Sequence, residues 1–294
     1  MSTPLLRAVE EAGAPADPAD RGRGRLWLGT SWKMTKTLAE ARAYVADLVR
    51  EPVPAGVEVF VLPPLTALHA VLDARPAGSP LRVGAQNAHW AADGPVTGEV
   101  SMHQLRDAGA EIVEVGHSDR RAQFGETDQV VAAKVTAALD QHLVPLVCVG
   151  EPWSVRAGGR AAPFVADQVR TALSGVAPAD VAKVLVAYEP VWAIGASGRA
   201  AAPGHVVGVL DRIRSVVAEL APGHELAGLL YGGSVTTANA EALLDLRDLD
   251  GLFVGRSAWT ADGFVELLRL CGRAAGRPAP TNRPSDPTPS RRSR

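Results

Sequence analysis

Three side chains in this sequence carry chemistry that their surroundings do not explain. Lys33 lies in WLGTSWKMTKT (27–37), wedged between Trp32 and Met34, where an ammonium group is awkward to solvate. His117 follows the apolar run EIVEVG (111–116) and opens HSDRR, and Glu189 closes KVLVAYE (183–189) just before PVWAIG (190–195). A carboxylate can take a proton from carbon. An imidazole and a fixed ammonium can draw electrons into a carbonyl. Two glycine turns, YGGSV (231–235) and VGRSAW (254–259), precede helical segments and expose backbone N–H groups, which with the helix dipole bind phosphate. The set points to proton abstraction beside a carbonyl on a phosphorylated substrate. Taken singly, each member has an ordinary use: His117 as a structural histidine, Glu189 as a helix-cap partner, Lys33 as a snorkelling surface residue, YGGS as a tight loop.

Other chemistries lack their parts. No His/Cys cluster has metal-ligand spacing, and no serine sits in a G-x-S-x-G turn. There is neither a G-x-G-x-x-G after the first strand nor a Walker A sequence. No metal and no cofactor are therefore expected.

Elements that could hold such a set recur along the chain. Eight short apolar runs, at 25–30, 57–63, 81–86, 111–116, 144–150, 183–189, 226–233 and 251–255, are separated by longer stretches. Helical periodicity marks 38–50, 127–142, 205–220, 238–246 and 261–271. The runs are nearly continuous in apolar residues, as parallel strands covered on both faces require. Eight β-then-α units in about 250 residues fit a single-domain (β/α)₈ barrel, whose active site lies at the C-terminal strand ends. Lys33, His117, Glu189 and both glycine turns follow such ends. An open doubly wound sheet is the alternative, without its glycine fingerprint.

The chain has 294 residues, 47 % of them hydrophobic, and a formal net charge of −2. That balance favours neither a nucleic-acid nor a membrane-surface role. No run approaches the ~18 apolar residues of a spanning helix, and no secretory pattern opens the chain. Two cysteines, Cys148 and Cys271, suit a reduced, cytoplasmic setting. Residues 1–24 and 275–294, rich in Pro, Arg, Ala and Ser, are expected to be disordered extensions of a barrel spanning 25–274.

Across about residues 25–272, the segments GTSWKM, GAQN, TGE, GHSDRR, FGE, VCVGE, AYEPVWAIG and YGGSV resemble the triosephosphate isomerases in order. That resemblance implies roles. Glu189 would be the base, His117 the neutral group that polarises the carbonyl, and Lys33 the fixed charge beside the enediolate. Pro190, Val191, Trp192, Ala193 and Ile194 would begin a lid over the substrate. Backbone N–H groups of Gly195, Ser234 and Gly255 would hold phosphate. A loop carrying Trp90 and Thr97 would enter a second copy of the chain, making a homodimer with Thr97 near the partner's lysine site.

Departures from the triose pattern are Ser31 for Asn, Asp119 for Glu, ASGRAA (196–201) in the lid, Arg256 for glycine, and Trp90 in NAHW. GTSWKM, QNAHW and GRSAW together look like the L-erythrulose-1-phosphate isomerase branch of that family, which serves bacterial erythritol and threitol catabolism. Its four-carbon substrate carries one hydroxymethyl more than the triose, and Ser31 would make room for it. Arg256 would add charge and bulk near the phosphate. The alternatives are a triosephosphate isomerase with altered loops and a non-catalytic phosphosugar-binding protein. The second has no use for a base.

Overall fold

A computed structural model describes residues 25–195 and 198–277. In chain order the elements are β1 (Leu26–Ser31), α1 (Leu38–Leu48), β2 (Val57–Leu62), α2 (Leu68–Ala74), β3 (Leu81–Ala85), α3 (Met102–Asp107), β4 (Ile112–Val115), α4 (Ser118–Phe124), α5 (Asp128–Asp140), β5 (Val144–Val149), α6 (Trp153–Ala157), α7 (Ala161–Ala172), β6 (Leu185–Tyr188), α8 (Pro203–Leu220), β7 (Gly228–Tyr231), α9 (Ala240–Leu244), β8 (Gly251–Val254) and α10 (Ala261–Ala275). The strands pair in parallel in sequence order. β8 returns to β1 with Trp27 opposite Gly251, closing the (β/α)₈ barrel that the eight apolar runs predict.

Two packed zones hold it. Inside the barrel, Trp27, Phe60, Leu62, Ile112, Leu146, Leu185, Leu230 and Phe253 form an apolar plug. Phe60 stacks on Phe253 at 5.9 Å. A Cβ on Gly29 would lie 1.9 Å from the Phe60 ring, so only glycine lets that ring cross the barrel axis. Outside, the helices bury apolar faces against the opposite side of the strands. Strand residues therefore meet apolar atoms on both faces, which is why the runs show little alternation.

Local signals start the helices where the chain must turn. Thr37 and Glu40 form a reciprocal cap on α1, and Ser101 with Gln104 does the same on α3. The sequence reading foresees α1, α5, α8, α9 and α10 but names neither α7 nor the short helices α2, α3, α4 and α6. α7 is a twelve-residue helix with Val165, Ala166 and Val169 buried, hidden by Pro163 in its first turn and by Gly158 and Gly159 ahead of it. The last helix also continues past the expected boundary at 274. It runs to Ala275, and Arg277 beyond it bonds Glu241 and Asp245. The expected N-terminal extension, and the tail from 278 onward, lie outside the described residues.

Candidate active site

The C-terminal ends of the strands bring Lys33, His117 and Glu189 to one mouth. Lys33 follows β1 with φ +52°, a left-handed conformation uncommon outside glycine. Gln86, just past β3, fixes this turn by donating its side-chain amide to the Lys33 carbonyl at 3.0 Å and the Leu62 carbonyl at 2.9 Å. The Lys33 ammonium reaches Asp119 Oδ2 at 2.8 Å. Asp119, noted in the sequence only as a departure, is thus the lysine's counter-ion.

His117 caps α4. Its Nδ1 accepts the Asp119 backbone N–H at 2.9 Å. A nitrogen accepting that bond carries no proton, so the ring hydrogen of the neutral imidazole sits on Nε2. Nε2 faces Glu189 Oε2 at 3.6 Å. Burial and the Lys33 charge hold the imidazolium pKa down to about 4, with Asp119 opposing. The ring is therefore a neutral Nε2–H donor across the working pH range.

Glu189 follows β6 directly and is 4 % exposed. Burial pushes its carboxyl up to about 8, the charge of Glu114 adds to this, and Lys33 and the Cys148 thiol oppose it. Its Oε2 has no hydrogen-bond partner among the described residues. Gly232, in the turn after β7, is what makes room for it: a Cβ there would lie 2.6 Å from Glu189 Cγ.

Other predicted residues surround this centre. Ser31, 5 % exposed, ends β1, and its carbonyl accepts the Trp259 indole N–H at 2.9 Å. Ser234 and Gly255 lie in the turns after β7 and β8. Ser257, next to these, donates to the Val235 carbonyl at 2.8 Å and ties the two turns together. Pro190 leads into a single turn, Val191–Ala193, in which Ala193 is buried. Trp192 donates to buried Glu151 at 2.8 Å, and Tyr188 and His205 reach the same carboxylate. Ile194 and Gly195 follow. Arg256 bonds the Gly195 carbonyl at 2.7 Å, so its guanidinium joins the eighth-strand turn to the lid segment. Trp90 and Thr97 stand apart, on a projecting loop: Trp90 is 44 % exposed and stacks on His89 at 4.0 Å.

Two groups escape the sequence reading. Glu126 of FGE, beside Arg120 and buried Lys134, anchors the loop after α4, with Lys134 also bonding Asn87 at 2.7 Å. Glu114, inside β4, is 2 % exposed beneath the mouth. Its only sequence signal is a carboxylate within an apolar strand, in phase with interior-facing Ile112. Among the described residues no three His, Cys, Asp or Glu side chains are grouped to hold a metal ion. No helix there is long and apolar enough to cross a membrane.

This geometry supplies a base, a neutral hydrogen-bond donor across from it and a lysine at the rim: the parts for moving a proton between adjacent carbons. A family model for triosephosphate isomerase matches residues 26–271. An L-erythrulose-1-phosphate isomerase of Mycolicibacterium smegmatis is 47 % identical over 254 residues, covering 85 % of this chain and 94 % of that protein. The proteins of the same name from Rhizobium rhizogenes and Brucella abortus are 46 % and 44 % identical, each over 84 % of this chain and 95 % and 96 % of their own lengths.

Proposed function

The chain belongs to the triosephosphate isomerase family and is an isomerase, and from that premise we propose that it interconverts L-erythrulose 1-phosphate and D-erythrulose 4-phosphate. The observation that carries the chemistry is the facing of Glu189 and neutral His117 across 3.6 Å. Ionised Glu189 removes the proton from the hydroxyl-bearing carbon next to the carbonyl and returns it to the former carbonyl carbon. The His117 Nε2–H donates to the oxygen that gains charge, and the imidazole passes a proton between the two substrate oxygens. Lys33 stabilises the enediolate. Its charge is held in place by Asp119 before reaction, so little reorganisation accompanies the transition state.

The turns bearing Ser234 and Gly255 hold the phosphate through backbone N–H groups, with Gly195 arriving from the lid. Closure of the segment from Pro190 excludes water from the enediolate, with Trp192 and Glu151 as its hinge. Four carbons rather than three are favoured by the names of the relatives at 44–47 % identity and by the small side chain of Ser31 at the rim of the site. The reaction belongs to four-carbon polyol breakdown in the cytoplasm.

The same reading makes the protein a homodimer. Trp90 and Val96 on the projecting loop, and Met34 beside Lys33, are large apolar side chains left exposed, and a second copy that takes in this loop would cover them. Sedimentation at micromolar concentration checks this; an active monomer would oppose it.

The substrate is tested by comparing kcat/KM on L-erythrulose 1-phosphate and glyceraldehyde 3-phosphate. A preference of at least ~10-fold for the four-carbon sugar is expected, the low end of one-group discrimination. A preference for the triose would make the protein a triosephosphate isomerase.

A further inference from the structure

Glu114 has no part in the mechanism above, yet it is a fully enclosed carboxyl group directly below the base. Isolated carboxylates are rare in barrel interiors, because removing the charge from water is unfavourable by several kcal/mol. The Cys148 thiol, from β5, donates to Glu114 Oε1 at 3.8 Å and lies close enough to Glu189 to act on its carboxyl as well. A thiol has one hydrogen, so it serves one carboxylate at a time. Glu114 Oε2 and Glu189 Oε2 are both buried and lack hydrogen-bond partners among the described residues. Two enclosed carboxyl groups, one shared donor hydrogen and two unpartnered oxygens form a poor home for two negative charges and a good home for one.

We propose that Glu114 and Glu189 hold a single ionisable proton between them across the Cys148 thiol, with Glu114 as the positioning residue that sets the pH at which Glu189 becomes an available base. When the proton rests on Glu114, Glu189 is ionised and takes the carbon-bound proton of the substrate. When it rests on Glu189, the site is idle. The pair's own proton is not consumed: the substrate's proton enters and leaves through Glu189 alone.

The surrounding charges agree with this division. Lys33, from the β1 end, favours the anion on both carboxyls; Asp119, from α4, disfavours it on both. Ser31 hydrogen-bonds Glu114, and His117 faces Glu189 without charge. Arg121 approaches the Cys148 carbonyl at 3.4 Å, from the far side of the thiol strand. Burial lifts Glu114 to about 7 and, with Glu114's charge added, Glu189 to about 8, as expected of a coupled pair in which the second ionisation is opposed by the first.

The test is the pH profile of kcat/KM in wild type and Glu114→Gln. Glutamine keeps the shape of Glu114 but cannot ionise. Glu189 then titrates beside a neutral neighbour, and the acid limb should move to lower pH by at least ~1 unit. The substrate phosphate titrates identically for both enzymes and cancels. A purely structural role would lower activity evenly at all pH values and leave the limb in place, which would overturn the proposal. A second measurement needs no variant at Glu114. Carbon NMR of labelled glutamate in the wild type, with the Glu189 signal identified by its loss in Glu189→Gln, should show two coupled titration steps. A single independent step for Glu189 would likewise overturn it.

Discussion

Lys33 Nζ and Asp119 Oδ2 stand 2.8 Å apart at the mouth of the barrel, joined across two different strand ends. The pair is partly exposed, with the lysine side chain 31 % and the aspartate 45 % accessible. Its contribution to stability is therefore small, under about 1 kcal/mol. Its importance is positional, since the same aspartate supplies the backbone N–H that fixes the His117 tautomer. Asp119→Asn keeps that N–H and removes the counter-ion. The expected result is a melting temperature within a few degrees of wild type and kcat/KM lowered about 10-fold, one misplaced charge at the transition state. Steady-state kinetics with thermal unfolding checks it; unchanged kcat/KM would mean that Lys33 needs no counter-ion.

Glu189→Gln should abolish the base while sparing the fold. Glutamine fills the same space below Gly232 and removes a buried charge. We expect kcat to fall at least ~10²-fold, with affinity for a phosphate-bearing inhibitor nearly unchanged. Undiminished turnover would remove Glu189 from the mechanism.

His117 should stay neutral throughout the working range. Its folded pKa, about 4, lies below the ordinary histidine value near 6.5. Between those values the unfolded chain binds a proton that the folded one does not. Its contribution to stability is therefore full above the upper value and is lost as pH falls through the lower one. Proton NMR of the ring should show no titration from about pH 5 to 8. A midpoint near neutrality would contradict the neutral-donor role.

The turn after β7 makes a steric prediction. A methyl group on Gly232 would meet Glu189 Cγ at 2.6 Å and Oε1 at 2.9 Å. Gly232→Ala should displace the base without unfolding the barrel. The expected loss is about 10²-fold in kcat, as for other displacements of about 1 Å in a reacting group. Wild-type turnover in this variant would show that the turn gives way instead.

The barrel was legible because its strands are covered on both faces, which leaves runs such as VPLVCVG almost without polar residues. The gathering of Lys33, His117 and Glu189 at one mouth was legible because each of them breaks such a pattern at a strand end. α7 was hidden because Pro163 imitates a break although the first turn tolerates it. Glu114 was hidden for a different reason. Period-two alternation separates the two faces of β4 but does not say which one looks into the barrel, so the second carboxylate of EIVEVG could equally face a helix. Asp119 showed only as a shortened side chain. Its pairing with Lys33 spans 86 residues, and no local pattern encodes such a contact.

Ser31 closes β1 beside Lys33, with its side chain a hydrogen-bond partner of Glu114 and its carbonyl tied to Trp259. If the site accepts a tetrulose, the extra hydroxymethyl group must lie near the reacting carbons, and a small side chain at this rim leaves space for it. Ser31→Asn adds an amide there. The four-carbon substrate should lose about 1–3 kcal/mol of transition-state binding by overlap, a roughly 10–200-fold drop in kcat/KM. The three-carbon substrate should be unaffected or improved, because none of its atoms competes for the space. The change also touches Glu114, and any disturbance of the base through that route acts on both substrates alike. The ratio of the two kcat/KM values, measured on one preparation at one pH, removes this common effect along with any loss of folded enzyme. A ratio that stays within about twofold of wild type would show that Ser31 does not set substrate length, since a group in steric contact with the extra carbon discriminates by more than that.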